Sequence, residues 1–169
     1  STPTGSPPSK MEVGNTPEST IQNHGTIFIS PGSIVVVGSL ANPGTVTGNG
    51  IVINNGTLDA NLSISGSGTL GGSGTISGSV VIDPFAILIP GMSPGKMTIK
   101  NGLTLGGEYG WELGANTEMG PGINFDQIVV TAGNVVINST ASLNLILPTG
   151  GTTDPFWASN HSWEIIANS

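Results

Sequence analysis

Every sixth residue from position 28 to position 88 is large and apolar: Phe28, Ile34, Leu40, Val46, Val52, Leu58, Ile64, Leu70, Ile76, Ile82 and Leu88. With about a third of the chain apolar, chance agreement over eleven slots is on the order of 10⁻⁵. Two positions before most of these slots stands a small residue: Gly32, Gly38, Gly44, Gly50, Gly56, Gly68, Gly74 or Ala86. Ser or Thr often stands one position before, as at Thr45, Thr57, Ser63, Thr69 and Thr75. A six-residue period suits neither a helix nor a continuous strand, but it is a repeat from which β-helices are built. Each hexapeptide supplies a short strand with one inward aliphatic side chain, then a corner. Three sides make a coil of about 18 residues. The eleven slot residues are the predicted solenoid core, with Val46 near Ile64 and Ile82, and Val52 near Leu70 and Leu88. Glycine and asparagine at the corners tolerate the left-handed backbone that tight turns require. A rival reading takes Asn49-Gly50 and Asn55-Gly56 as hairpin turns of an antiparallel sheet, but hairpins do not require an unbroken six-residue register.

The register ends in Pro90-Gly91-Met92-Ser93-Pro94-Gly95. Beyond it, alternating apolar and polar positions predict strands at 97–99, 103–105, 111–113, 128–130, 135–137, 143–147 and 163–165. Their spacing is wider and uneven, which predicts either larger coils continuing the stack or a β-sandwich-like cap. At the other end, residues 1–24 are rich in Ser, Thr and Pro and read as an extended arm or linker. The expected organisation is therefore an arm over 1–24, a hexapeptide-register solenoid over 25–93, and wider coils or a cap over 94–169. The fold class is all-β, a single-stranded β-solenoid.

Composition narrows the function. The 169 residues include 27 Gly and 12 Pro, yet 36% are hydrophobic and only 8% charged, so the chain has the means to bury a core. The net charge is −7, and the three cations are Lys10, Lys96 and Lys100. That balance argues against a nucleic-acid partner, which requires clustered basic residues. No apolar run is long enough for a membrane-spanning helix. The absence of cysteine excludes disulfides and thiolate chemistry. The chain opens at Ser1 without a signal-like segment, and reads as a processed product or an excerpt.

The stretch from Gly68 to Leu147 resembles the β-strand repeats of bacterial autotransporter passenger domains and related secreted β-solenoid surface proteins. The residues that carry the likeness are Gly71-Gly72-Ser73-Gly74-Thr75-Ile76, the run Pro90 to Ile99, Leu103-Thr104-Leu105 and Phe125-Asp126-Gln127-Ile128-Val129-Val130. The resemblance implies a right-handed solenoid displayed outside the cell as stalk, adhesin or scaffold.

Catalytic chemistry is not expected. Asp59 and Asp83 share a slot type but fall on different sides of a three-sided coil, against the paired carboxyl groups of a glycoside hydrolase. Glu108, Glu112, Glu118 and Asp126 gather around one loop without a calcium-binding motif. His24 and His161 stand alone, and no serine lies in a nucleophile elbow. Late aromatics, chiefly Tyr109, Trp111, Trp157 and Trp163, are candidates for stacking on glycans or for capping the coil stack. No cofactor or metal is expected. The expected role is a non-catalytic structural subunit of an extracellular or cell-surface fibre, sheath or surface layer. Its partners would be copies of itself, joined through open β edges and the N-terminal arm. The alternative is an adhesin, stalk or glycan-binding module that takes surface glycans as partner.

Overall fold

The computed structural model describes residues 9–16, 18–39, 41–91, 94–148 and 153–169. Through them the chain winds as a three-sided solenoid. The first coil holds β1 (Lys10–Val13), β2 (Thr20–Gln22) and β3 (Thr26–Ile29), and the second β4 (Ile34–Ser39), the short β5 (Asn42–Pro43), β6 (Thr45–Gly48) and β7 (Ile51–Asn54). The third holds β8 (Thr57–Asp59), β9 (Asn61–Ile64) and β10 (Thr69–Gly72), and the fourth β11 (Thr75–Ile76), β12 (Val80–Ile82) and β13 (Ile87–Pro90). The fifth holds β14 (Lys96–Ile99), β15 (Leu103–Leu105) and β16 (Glu108–Glu112). The sixth holds β17 (Gln127–Val130), β18 (Val135–Ile137) and β19 (Ser142–Ile146), after which β20 (Ile166–Asn168) rejoins the first side.

Each side is a parallel sheet. Face A is β1-β4-β8-β11-β14-β17-β20, with β5 antiparallel to β4; face B is β2-β6-β9-β12-β15-β18; face C is β3-β7-β10-β13-β16-β19. A hairpin architecture would pair sequence neighbours antiparallel, so the parallel order settles that choice in favour of the solenoid.

The inward positions form continuous columns. Val52, Leu70, Leu88 and Tyr109 stack on face C. Leu58, Ile76, Ile99 and Val130 stack on face A, and Ile64, Ile82 and Leu105 on face B. All of these are buried in one core cluster. Burying each such aliphatic side chain contributes roughly 1.5–3 kcal/mol. The eighteen-residue coil holds strictly where Thr57 meets Thr75, Leu62 meets Val80 and Leu70 meets Leu88. Past Pro94 the coils lengthen within the same three sheets: Thr98 lies beside Thr75, Val129 beside Thr98 and Ala167 beside Val129.

The hexad count misplaces the first coils. Phe28 points outward and is 59% exposed, while its neighbours Ile27 and Ile29 pack on the core. Ile34 is likewise only half-buried, and Val35 and Val37 face inward. Both errors fall in unbroken apolar runs, Ile27-Phe28-Ile29 and Ile34-Val35-Val36-Val37. There a count of six cannot tell neighbours apart, and a slip of one residue reverses the face. Pairing decides it: Ile27 lies opposite Val52 and Val35 opposite Leu58. Val46 stays inside, but opposite Leu62 rather than Ile64; an offset of two residues keeps the face. Leu40 lies outside the described residues. The coil stack also begins within the stretch read as an arm: Lys10–Val13 pairs with Ile34–Val37, and Thr20–Gln22 with Thr45–Thr47. The composition of 1–24 obscured these two short strands, whose Met11 and Ile21 line the N-terminal mouth of the interior.

Asparagine corners bind successive coils together. Asn54 is fully buried; its Nδ2 donates to the Thr75 carbonyl about one turn further along (2.9 Å), and its Oδ1 accepts from Gly56 N (3.1 Å). Asn23 does the same between β2 and β3, donating to Ile51 O and accepting from Gly25 N. The corner above Asn54 must carry glycine: Gly72 has φ +101°, and a Cβ there would lie 2.2 Å from Asn54 O.

One corner departs from this economy. In Asp83-Pro84-Phe85-Ala86 the Ala86 N–H donates to Asp83 O, and Phe85 adopts φ +72°. The turn Ser30-Pro31-Gly32-Ser33 has the same closing bond and places Gly32 at φ +75° in the matching position. A left-handed conformation costs a residue with a Cβ roughly 1–2 kcal/mol.

Two substitutions distinguish inward from outward positions. Ile64→Asp places a carboxylate among stacked aliphatics and should lower stability by more than about 4 kcal/mol in urea titration. Ser63→Asp, one position away and on the outer surface, should cost less than about 1 kcal/mol. Equal effects would contradict the register.

Candidate functional site at the C-terminal end of the stack

A solenoid buries the inward face of each coil against the next, and β18 and β19 are the last strands of their sheets. Register places Leu143 over Tyr109, Leu145 over Trp111 and Ile137 over Leu105, so these three side chains continue the inner columns. Nothing among the described residues covers them fully: Ile137 is 62% exposed and Leu145 55%. An apolar cavity of about 300 Å³ opens here, lined by Trp111, Leu143, Leu145, Leu147, Trp157, Trp163 and Ile165. A second, of about 220 Å³, adjoins it between Ile137, Leu143 and Ile166. The opposite end mirrors this arrangement, with Met11, Ile21 and Ile27 of the first coil around a mouth of about 220 Å³ that reaches Val46, Val52 and Leu58.

The late aromatics meet at one corner. The connections from β16 to β17 and from β19 to β20 are long, and between them Trp111, Phe125, Phe156, Trp157, His161 and Trp163 form a connected cluster. The rings of Trp111 and Trp163 lie 5.5 Å apart, and those of Phe156 and His161 stack at 3.6 Å. Trp111 and Tyr109 are buried, so neither presents a ring face for stacking on a sugar. Trp111 Nε1 donates to Asp126 O (2.8 Å), and Tyr109 OH donates to Ile165 O (3.1 Å). Trp157 and Trp163 are half-buried against the core, and Trp163 Nε1 donates to Thr117 O. All four sequence-selected aromatics therefore lie at this end, two inside it and two on its wall.

The acids read as one loop cluster do not converge on a common point, although Asp126 lies against the backbone of Glu112. Glu108 accepts from Asn144 Nδ2, and Glu118 accepts from Ser162 N and lies 3.2 Å from His161 Nδ1. Asp126 is fully buried, its two carboxylate oxygens accepting from Gly95 N (2.7 Å) and Glu112 N (3.0 Å). It thereby joins three segments of the enlarged coils, a role that the sequence signals only by placing an acid before the apolar run Ile128-Val129-Val130. Among the described residues no three His, Asp or Glu side chains converge as metal ligands would.

Burial pushes the Asp126 carboxyl up to about 6, outweighing the opposite pull of the N–H groups of Gly95 and Glu112; the Glu112 charge adds a smaller upward push. Burial, with the Asp126 charge as a second cause, raises the Tyr109 hydroxyl well above its ordinary value. A carboxyl raised in the folded state holds a proton that the unfolded chain releases. Its stabilising contribution is complete below about pH 4 and is lost as pH rises through about 6. Urea unfolding across that window should show the wild type losing about 3 kcal/mol more than Asp126→Asn. Parallel pH profiles for the two proteins would contradict a buried, proton-holding Asp126.

Comparison of the chain with models of protein families, with curated proteins and with solved structures found no match.

Proposed function

We propose that the protein is a non-catalytic structural subunit of an extracellular or cell-surface assembly, which grows by end-to-end stacking of coils. The observation that carries this reading is the pair of open ends. Among the described residues the C-terminal end offers unpaired edges of β18, β19 and β20, and the N-terminal end those of β1, β2 and β3, one strand per face at each end and all parallel. A second copy placed head to tail continues all three sheets in the same polarity. It also brings Met11, Ile21 and Ile27 against the uncovered Ile137, Leu143 and Leu145. Such a contact joins unlike surfaces, so it propagates into an open filament unless the rotation closes a ring.

The C-terminal edges also lack charge and proline, two of the devices by which monomeric β proteins prevent this pairing. No charged residue and no proline occurs in β18, β19 or β20. At the other end the charges of β1, Lys10 and Glu12, pair with each other. The extracellular setting rests on the likeness of Gly68–Leu147 to passenger-type repeats. An adhesin that stacks sugars on Tyr109 and Trp111 has less support, because those two rings are buried.

Negative-stain microscopy and light scattering of the purified chain test this reading. Fibres should form, and Leu143→Lys combined with Leu145→Lys should abolish them while leaving the circular dichroism spectrum unchanged. A wild-type protein that stays a monodisperse monomer at millimolar concentration would overturn it.

A further inference from the structure

The three outer faces of the solenoid differ. On face B the outward row runs Thr47–Ser63–Val81–Thr104, and on face A Ile34–Thr57–Thr75–Thr98, one aliphatic residue in each. The first four strands of face C are more apolar. Their outward rows run Thr26–Ile51–Thr69–Ile87 and Phe28–Ile53–Gly71–Ile89. Phe28 is 59% exposed and Ile51 43%, and the other isoleucines are half-buried. Gly71 and the outward Gly110 keep the face level: a Cβ at these positions would lie 3.0 Å from Ile53 Cδ1 and 3.1 Å from Ile89 Cγ1, so both isoleucines lie over glycine. Beside this face, two residues before Ile87, stands the left-handed Phe85, 87% exposed. Its conformation is one that glycine would adopt without strain, and its ring is buried by nothing in its own subunit.

We infer that face C is a lateral interface, through which one stack of subunits packs face to face on a neighbouring stack of the same chain, with Phe85 at its margin. This rests on the end-to-end reading, because area decides the occupant. Four strands about 4.8 Å apart present on the order of 300 Å² per subunit, at about 3.3 Å per residue along each strand. A stable isolated dimer buries about 800 Å² per partner. One subunit pair falls short of that, whereas the same face repeated along a filament exceeds it after a few subunits. Charge confines the contact to these four strands: their outward positions carry no carboxylate, whereas Glu108 and Glu112 stand outward on the next strand of the face, β16, in a chain of net charge −7. Sheets packed face to face over β3, β7, β10 and β13 lie about 10 Å apart.

The test compares fibre width in electron micrographs of the wild type, Ile51→Lys/Ile87→Lys and Phe85→Gly. Wild-type fibres should be two or more stacks wide, and the double lysine variant should give fibres one stack wide. Phe85→Gly should raise the thermal midpoint by relieving the backbone, and should also shift fibres toward single stacks. Narrowing in a variant that folds better cannot come from unfolding. Wild-type fibres only one stack wide, or widths unchanged in both variants, would overturn the lateral interface and leave end-to-end stacking intact. Absence of any fibre would overturn both.

Discussion

The backbone hydrogen bond between coils is the constraint on which everything else depends. A strand of three or four residues has no partner within its own coil. Its N–H and C=O groups are satisfied only by the coil above and the coil below, and its one or two inward side chains are covered only by the same neighbours. The interior coils meet this condition on all three faces, which is why columns such as Val52–Leu70–Leu88–Tyr109 are continuous and buried. The buried Asn54 extends the same logic to a corner, where a side-chain amide adds a bond to the next layer beside the backbone bond from Gly74 N to Asn54 O.

That constraint also shapes the last coils. As the connections after β16 and β19 lengthen, the interior widens beyond what one aliphatic side chain per strand can fill. Tyr109 and Trp111 fill it instead, and each needs a partner for its polar atom, found at Ile165 O and Asp126 O. Asp126 in turn ties Gly95 and Glu112 together from a fully buried position. The aromatic corner is therefore the structural price of a wider coil, and it leaves an apolar, half-open surface where the columns stop.

Much of this was legible in the sequence, and the limits have physical causes. The six-residue register identified the solenoid, and its eight slots from Val46 to Leu88 are all buried, because the coils there keep to 18 residues, a multiple of six, even where Val52, Ile82 and Leu88 stand in apolar runs. It failed at Phe28 and Ile34, because Ile27 pairs with Val52 and Val35 with Leu58 at separations that are not multiples of six, so the count lands one position off and on the other face. The late aromatics were identifiable as a group, but their burial was not, since burial depends on the path of two long connections with no period. Asp126 was visible as an acid near a loop. Its enclosure by Gly95 and Glu112 arises from contacts 31 and 14 residues apart, which no local pattern encodes.

Amide hydrogen exchange, read strand by strand, tests most directly whether pairing between coils holds the molecule together. In the dispersed subunit, protection should be highest in β8 to β13 and should fall toward β1–β3 and toward β18 and β19, whose outer edges have no partner. In assembled material the same end strands should gain protection. Uniform protection along the dispersed chain, or slow exchange at β18 and β19 with fast exchange at β9 and β12, would contradict the account.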